Sequence, residues 1–174
     1  AYASTIYFNR FPIESPKYKI SDTQLLSGTC WKHWKLPTIS QDTLVSLDLE
    51  TTGLNPKSDR IIEVGAVKFR GDQQLDTFSA LINPRRELSP LILDMTGITQ
   101  REVDGAPDWD DLKSDVIEFI SGAPIIGHNV GFDASFLRTN GVKTDRLYDT
   151  MAMAEIALPR GPEYSLVRLS QKFN

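Results

Sequence analysis

The chain has 174 residues, a hydrophobic content of 40% and a formal net charge of −4, as expected for one soluble domain with a substantial core. The acidic balance excludes a protein that relies on one large basic phosphate-binding surface, and no apolar run is long enough to span a membrane. The single cysteine excludes an intrachain disulfide framework and fits a reducing compartment, so we expect a cytoplasmic protein.

The first forty residues differ in charge from the rest of the chain. Residues 1–40 carry five Lys or Arg and two Asp or Glu, a charge of +3, whereas residues 41–174 carry fourteen and twenty-one, a charge of −7. This asymmetry predicts an N-terminal extension, to which we assign no fold, ahead of one domain over 41–174. Its aromatic residues favour packing against the neighbouring domain, with stacking on single-stranded nucleic acid as the alternative.

The regular part of the chain begins with three predicted strands. Apolar and β-branched residues predict strands at about 43–50, 60–69 and 74–82. A loop at 55–59 and a tight turn at Gly71-Asp72 separate them. Three consecutive strands joined in this way predict an antiparallel meander.

Helices and short strands alternate in the second half of the chain. A short helix is predicted near Ser89, where Pro90 follows a capping residue. Further helices are predicted at 110–120, 131–141, 151–158 and 164–173, and short strands at 125–129 and 146–150. A meander followed by this alternation indicates an α/β fold with a mixed sheet flanked by helices, an arrangement that resembles the ribonuclease H-like architecture.

Two carboxylates in the first strand indicate a function. In "LDLETTGL", residues 47–54, Asp48 and Glu50 are two residues apart and therefore share one face of the strand. Two neighbouring like charges repel and lose hydration, and a bound cation compensates for both effects. The alternative is an exposed strand end at which both carboxylates meet water.

A second polar group lies in "GHNVGFDASFL", residues 127–137. Asp133 is placed at the start of a predicted helix, where capping alone accounts for an acid. His128 and Asn129 are predicted to end a short buried strand, where a structural histidine is the alternative to a ligand. Phe132 and Phe136 have the i, i+4 spacing of core residues.

Taken in order, these segments resemble the DEDD, or DnaQ-like, superfamily of 3′–5′ exonucleases. "DLETTG", "RIIEVGAVKF", "LDMTGIT" and "HNVGFD" carry the resemblance, which covers about residues 43–174. The wording "ALP…YSLVRLSQKF" is most similar to exonuclease domains of DinG-type helicases and of Gram-positive replicative polymerases. The resemblance implies a role in DNA replication or repair. It implies single-stranded 3′ ends as the nucleic-acid partner and a polymerase or helicase module nearby.

The resemblance also implies a two-metal mechanism with Mg²⁺ or Mn²⁺. Such hard ions select carboxylate oxygens, and two of them activate a water and stabilise the leaving oxygen. Asp48 would bridge both ions, Glu50 would bind the one that activates water, and Asp133 would support the second. These three residues are therefore the implied catalytic and metal-binding set.

The same resemblance implies a pocket for the terminal nucleotide. Leu54 would pack against the base, and Met95 stands where leucine is usual in the family. The implied substrate-binding residues are Thr51, Thr52, Gly53, Leu54, Met95, Thr96, His128, Asn129 and Phe132. Contacts of this kind grip sugar, phosphate and ring faces, so we expect weak sequence preference.

The sequence departs from the family at its last motif. A histidine and a fourth carboxylate are expected after the Tyr-Ser-Leu helix, yet residues 164–174 contain neither His, Asp nor Glu. We therefore interpret 41–174 as a C-terminally truncated exonuclease domain with reduced activity. Two alternatives stay open, a non-catalytic nucleic-acid-binding or docking module with the same fold and another ribonuclease H-like nuclease such as an endonuclease.

Overall fold

The structure, a computed structural model, describes residues 42–158 and 163–173. The extension predicted over 1–40 and Pro159, the predicted helix stop, lie outside the described residues. The strands are β1 (Thr43–Thr51), β2 (Ile61–Arg70), β3 (Gln73–Leu81), β4 (Ile125–Gly127) and β5 (Leu147–Asp149). The helices are α1 (Pro90–Thr96), α2 (Gln100–Asp104), α3 (Trp109–Ile120), α4 (Gly131–Thr139), α5 (Thr150–Ala157) and α6 (Leu166–Phe173).

The five strands form one mixed sheet in the order β3-β2-β1-β4-β5. β2 pairs antiparallel with both β1 and β3, which makes the predicted meander. β4 pairs parallel with β1 and with β5. The α/β fold with a mixed sheet is therefore confirmed, and β1 lies at the centre of the sheet.

β1 has two different faces. Leu47 and Leu49 are 3% and 5% exposed and pack in the core, whereas Asp48 and Glu50 lie on the opposite face with greater exposure. The alternation predicted from the sequence is confirmed. Because β1 is flanked by β2 and β4, its carboxylates stand over the middle of the sheet.

Two hydrophobic clusters hold the helices on the sheet. In the larger cluster, Phe119 of α3 and Phe136 of α4 pack against Val45 and the other inward residues of β1 and β2. In the smaller one, Ile62 of β2 meets Ile98 and its neighbours around α1 and α2. The larger cluster fixes α4, and with it Asp133, relative to β1.

Two local features differ from the sequence prediction. The five-residue helix α2 was not predicted, because five residues carry no apolar period. A capping box between Thr99 and Glu102 fixes its start. β4 ends at Gly127, so His128 and Asn129 lie in the turn that follows the strand.

None of the described helices is long and apolar enough to cross a membrane.

Candidate active site

The two carboxylates of β1 sit close enough to disturb each other. Burial, and then the charges of Asp48 and Glu63, raise the pKa of Glu50 to about 7. Part of the Asp48 side chain is exposed, yet the surrounding protein desolvates its carboxyl and raises its pKa. Shifts of this origin mark a place where negative charge lacks compensation.

Asp133 joins this pair from α4. Its side chain is 4% exposed, and its Oδ1 accepts a hydrogen bond of 3.1 Å from the backbone N–H of Leu49. This hydrogen bond joins the first turn of α4 to the backbone of β1 at Leu49, which lies between Asp48 and Glu50. Burial, then the charge of Asp48 and that of Glu50, raises the pKa of Asp133 to about 7. The structure therefore brings the three predicted acids into one electrostatic group.

A fourth acid, Glu63, adjoins the group from the neighbouring strand. It is the cross-strand partner of Glu50 in the β1–β2 ladder, and its side chain is 3% exposed. Sequence reasoning did not assign Glu63 to the site. The available signal was a glutamate in an otherwise apolar stretch, "IIEVGAV", in which every residue is buried.

The turn after β1 is closed by its own side chains. The Thr51 hydroxyl donates to the Gly53 carbonyl over 2.6 Å. The Thr52 hydroxyl accepts from the Arg60 backbone N–H over 3.0 Å. A Cβ added to Gly53 would lie 2.5 Å from the Asp59 carboxylate, so this position has no room for a side chain. These contacts fix the turn beside Glu50.

Two predicted substrate-binding residues present apolar surface to solvent. Leu54 is 83% exposed and Met95 is 70% exposed. The neighbouring Thr96 is buried, and its hydroxyl donates to the Ile92 carbonyl and accepts from the Ile98 N–H, at 2.7 and 3.2 Å. Thr96 is thus engaged at the end of α1, while Leu54 and Met95 have the exposure that stacking on a nucleotide requires.

The remaining predicted residues lie around the turn after β4. The Asn129 carbonyl accepts from the Phe132 N–H over 3.0 Å at the start of α4. Phe132 is partly buried, with its ring centroid 5.1 Å from that of Phe136. The side chains of Asp149 and Thr150 bind this turn. Neither residue was predicted to belong to the site.

The donor set suits a hard divalent cation, although its geometry is not already that of a metal centre. Among residues 42–158 and 163–173, no group of three or more His, Cys, Asp or Glu side chains is arranged to hold a metal ion. Asp48, Glu50 and Asp133 nevertheless offer only oxygen ligands, which Mg²⁺ and Mn²⁺ prefer. Burial raises the pKa of all three, and neighbouring negative charge adds to the rise at Glu50 and Asp133, and a bound cation would offset both effects.

Comparison with known proteins indicates one family, because the family model and the similar curated proteins agree. The model of the exonuclease family RNase T matches residues 45–174. The DNA polymerase III PolC-type of Thermotoga maritima is 38% identical over 141 residues, which make up 78% of this chain and 10% of that protein. The chain spans about a tenth of the length of the curated relatives it matches first.

Solved structures share the fold. Exonuclease X in complex with 5′-overhanging duplex DNA aligns with a TM-score of 0.58 at 27% identity, over 74% of this chain and 72% of that one. A product-bound exonuclease I aligns with a TM-score of 0.64 at 20% identity, over 75% and 38%, a likeness of fold alone. Fold and site together define the class of ribonuclease H-like nucleases. Within it, the chain belongs to the RNase T exonuclease family of the DEDD superfamily.

Proposed function

We propose that this chain is a metal-dependent 3′–5′ exonuclease domain that removes nucleotides from single-stranded DNA ends. The observation that carries the proposal is the convergence of Asp48, Glu50 and Asp133 from β1 and α4, with the pKa of each raised by burial. A purely structural site has no reason to desolvate three like charges together. Membership of an exonuclease family supports the same conclusion.

Asp48, Glu50 and Asp133 would hold two Mg²⁺ or Mn²⁺ ions. Bound there, the ions supply an activated water and charge stabilisation for the leaving oxygen. The Oδ1 atom of Asp133 already accepts a hydrogen bond from the Leu49 N–H, so the second carboxylate oxygen would be the one that binds an ion.

The remaining residues of the site would hold the end of the strand. The turn 51–53 is fixed beside Glu50, and the exposed Leu54 and Met95 offer apolar surface to a base. Apolar contacts of this kind bind the ring face of any base with similar strength, so they discriminate little between bases. We therefore propose low sequence preference, and a polymerase module as a neighbour, since the relatives are PolC-type polymerases.

The proposal is tested by a degradation assay on a 5′-labelled single-stranded oligodeoxynucleotide with Mn²⁺. The assay compares this chain with the protein expressed from the complete reading frame that encodes it. The Asp48→Ala variant is the inactive control. We expect the complete protein to shorten the substrate stepwise from its 3′ end. The rate of the Asp48→Ala variant should be at least about a hundredfold lower.

Two outcomes would overturn the proposal. Internal cleavage of a substrate with a blocked 3′ end would identify an endonuclease, because an exonuclease stalls on such an end. Binding of the oligonucleotide by both proteins without any shortening would identify a non-catalytic binding module of the same fold.

A further inference from the structure

Asp149 and Thr150 lie beside the turn that connects β4 to α4. Gly127, the last residue of β4, is the cross-strand partner of Asp149 in the parallel β4–β5 ladder. The turn 128–130 and the start of α5 therefore leave the sheet side by side. Because α4 carries Asp133, whatever fixes this turn also fixes one of the three acids of the site.

Asp149 binds the backbone of the turn directly. Its Oδ1 accepts from the Asn129 N–H at 3.0 Å and also from the Met151 N–H at 2.9 Å, so one oxygen caps α5 and holds the turn. Asn129 has a φ of 59°, in the left-handed region that residues other than glycine seldom adopt. The bond from Asp149 stabilises this conformation, in which the Asn129 carbonyl receives the Phe132 N–H and starts α4.

Thr150 binds the same turn with its hydroxyl group. That oxygen lies 3.1 Å from the Gly127 carbonyl and 3.0 Å from Nδ1 of His128. A hydroxyl has one proton and the carbonyl can only accept, so the proton goes to Gly127. With that proton committed, Nδ1 of His128 would donate to the hydroxyl, and in a neutral ring Nδ1 would then be the protonated nitrogen.

This tautomer leaves Nε2 of His128 as an acceptor. Nε2 is buried and has no hydrogen-bond partner within the described parts of the chain. A buried acceptor without a donor is costly, and such groups concentrate where a ligand completes them. The nearby turn and α4 carry Asn129, Phe132 and Asp133, all of them residues of the candidate site.

We propose that Asp149 and Thr150 are positioning residues of the nuclease site. They hold the turn 128–130 and keep His128 in the Nδ1–H form, and through this turn they hold the start of α4, with Asp133, in the geometry that the bound strand requires. The proposal rests on the proposed function for its ligand, a single-stranded oligodeoxynucleotide. Its structural part, the tautomer of His128, does not depend on that function.

The tautomer is measured by ¹⁵N NMR of the imidazole nitrogens at a pH at which the ring is neutral. The chain has two histidines, so a His33→Gln variant assigns the signals of His128. We expect Nδ1 to show the shift of a protonated nitrogen and Nε2 that of an unprotonated one. Thr150→Val, which lacks the hydroxyl, should shift His128 towards the Nε2–H form, whereas Thr150→Ser should preserve the native pattern.

Binding is measured by fluorescence anisotropy of a 5′-labelled oligodeoxynucleotide with Ca²⁺ in place of the catalytic ion. Thr150→Val and Asp149→Ala should each raise Kd about fivefold, the effect of one lost hydrogen bond or its equivalent. Thr150→Ser and Asp149→Asn, which keep the acceptor oxygens, should stay within about twofold of the unmodified protein. Thr99→Ala is the control, since it removes an N-cap from α2 that takes no part in the site.

The outcomes separate the two proposals. An Nε2–H tautomer in the unmodified protein, or one unchanged in a folded Thr150→Val variant, would overturn the positioning role. Equal losses of binding in Thr150→Val and Thr99→Ala would overturn it too, because the effect would then be general destabilisation. Failure of the unmodified protein to bind any oligonucleotide, with the predicted tautomer present, would count against the proposed function and leave the Thr150–His128 contact supported.

Discussion

At the scale of single residues, the acids of the site make stability depend on pH. Burial and neighbouring charge raise the pKa of Asp133 to about 7, from an ordinary value of 3.8. The folded protein therefore binds a proton more tightly than the unfolded chain. The contribution of protonated Asp133 to the free energy of unfolding is complete below about pH 4 and is lost as the pH rises through 7. Glu50, whose pKa is also about 7, acts in the same direction.

A divalent cation should reverse this pH dependence. Mg²⁺ and Mn²⁺ bind deprotonated carboxylates, so they compete with protons at low pH and act fully only above pH 7. We expect Mn²⁺ to raise the melting temperature more at pH 8 than at pH 5.5, as measured by differential scanning fluorimetry. An equal rise at both pH values would show that the ion binds elsewhere.

Replacing Asp133 by Asn tests the same idea without a metal. Asn can still accept from the Leu49 N–H, while its neutral side chain removes a buried charge. Asp133→Asn should stabilise the metal-free protein at pH 8 by about 1–3 kcal/mol and lose the response to Mn²⁺. Chemical denaturation measures both effects. Asp115→Asn, an exposed acid of α3, is the matched control and should change neither.

At the scale of elements, the contact between β4 and β1 leaves little space for a side chain at Gly127. A Cβ on Gly127 would lie 3.1 Å from the Leu47 carbonyl and 3.0 Å from the Val130 side chain. Gly127→Ala should therefore destabilise the protein by about 1–3 kcal/mol in denaturant unfolding. Gly131→Ala is the control, because nothing lies within 4 Å of its Cβ position, and it should be neutral or slightly stabilising.

The central strand was predictable because its pattern is local. The alternation around Asp48 and Glu50 follows from the two-residue period of a strand, and a buried face on one side fixes its direction. The helix α4, with Asp133 in its first turn, was likewise predictable from the i, i+4 pair of Phe132 and Phe136. These signals need only a few consecutive residues.

Contacts between distant segments were not predictable in this way. Glu63 lies opposite Glu50 only because of the register of the β1–β2 ladder. Asp149 and Thr150 reach the turn at His128 only because β5 pairs with β4. The predicted meander includes the β1–β2 pairing but not its register, and the sequence contains no direct signal of the β4–β5 pairing, so Asp149 and Thr150 resemble ordinary helix-capping residues.

At the scale of the whole molecule, the described residues contain two hydrophobic clusters that lie within one continuous part of the chain. Both hydrophobic clusters draw their buried members from residues 45–142. We therefore predict that a chain beginning at residue 42 folds and unfolds cooperatively, with an oligonucleotide affinity within about threefold of the longer chain. Non-cooperative thermal unfolding of the shortened chain, followed by circular dichroism, would show that residues 1–41 belong to the domain.

The central claim is that Asp48, Glu50 and Asp133 form one metal site, and a Mn²⁺ titration tests it most directly. Electron paramagnetic resonance of unbound Mn²⁺ at pH 8 reports binding whether or not the chain turns over substrate. We expect saturable binding by the unmodified chain, retained in Asp115→Ala and weakened at least about tenfold in Asp48→Ala. Identical titrations of Asp48→Ala and the unmodified protein would contradict the claim.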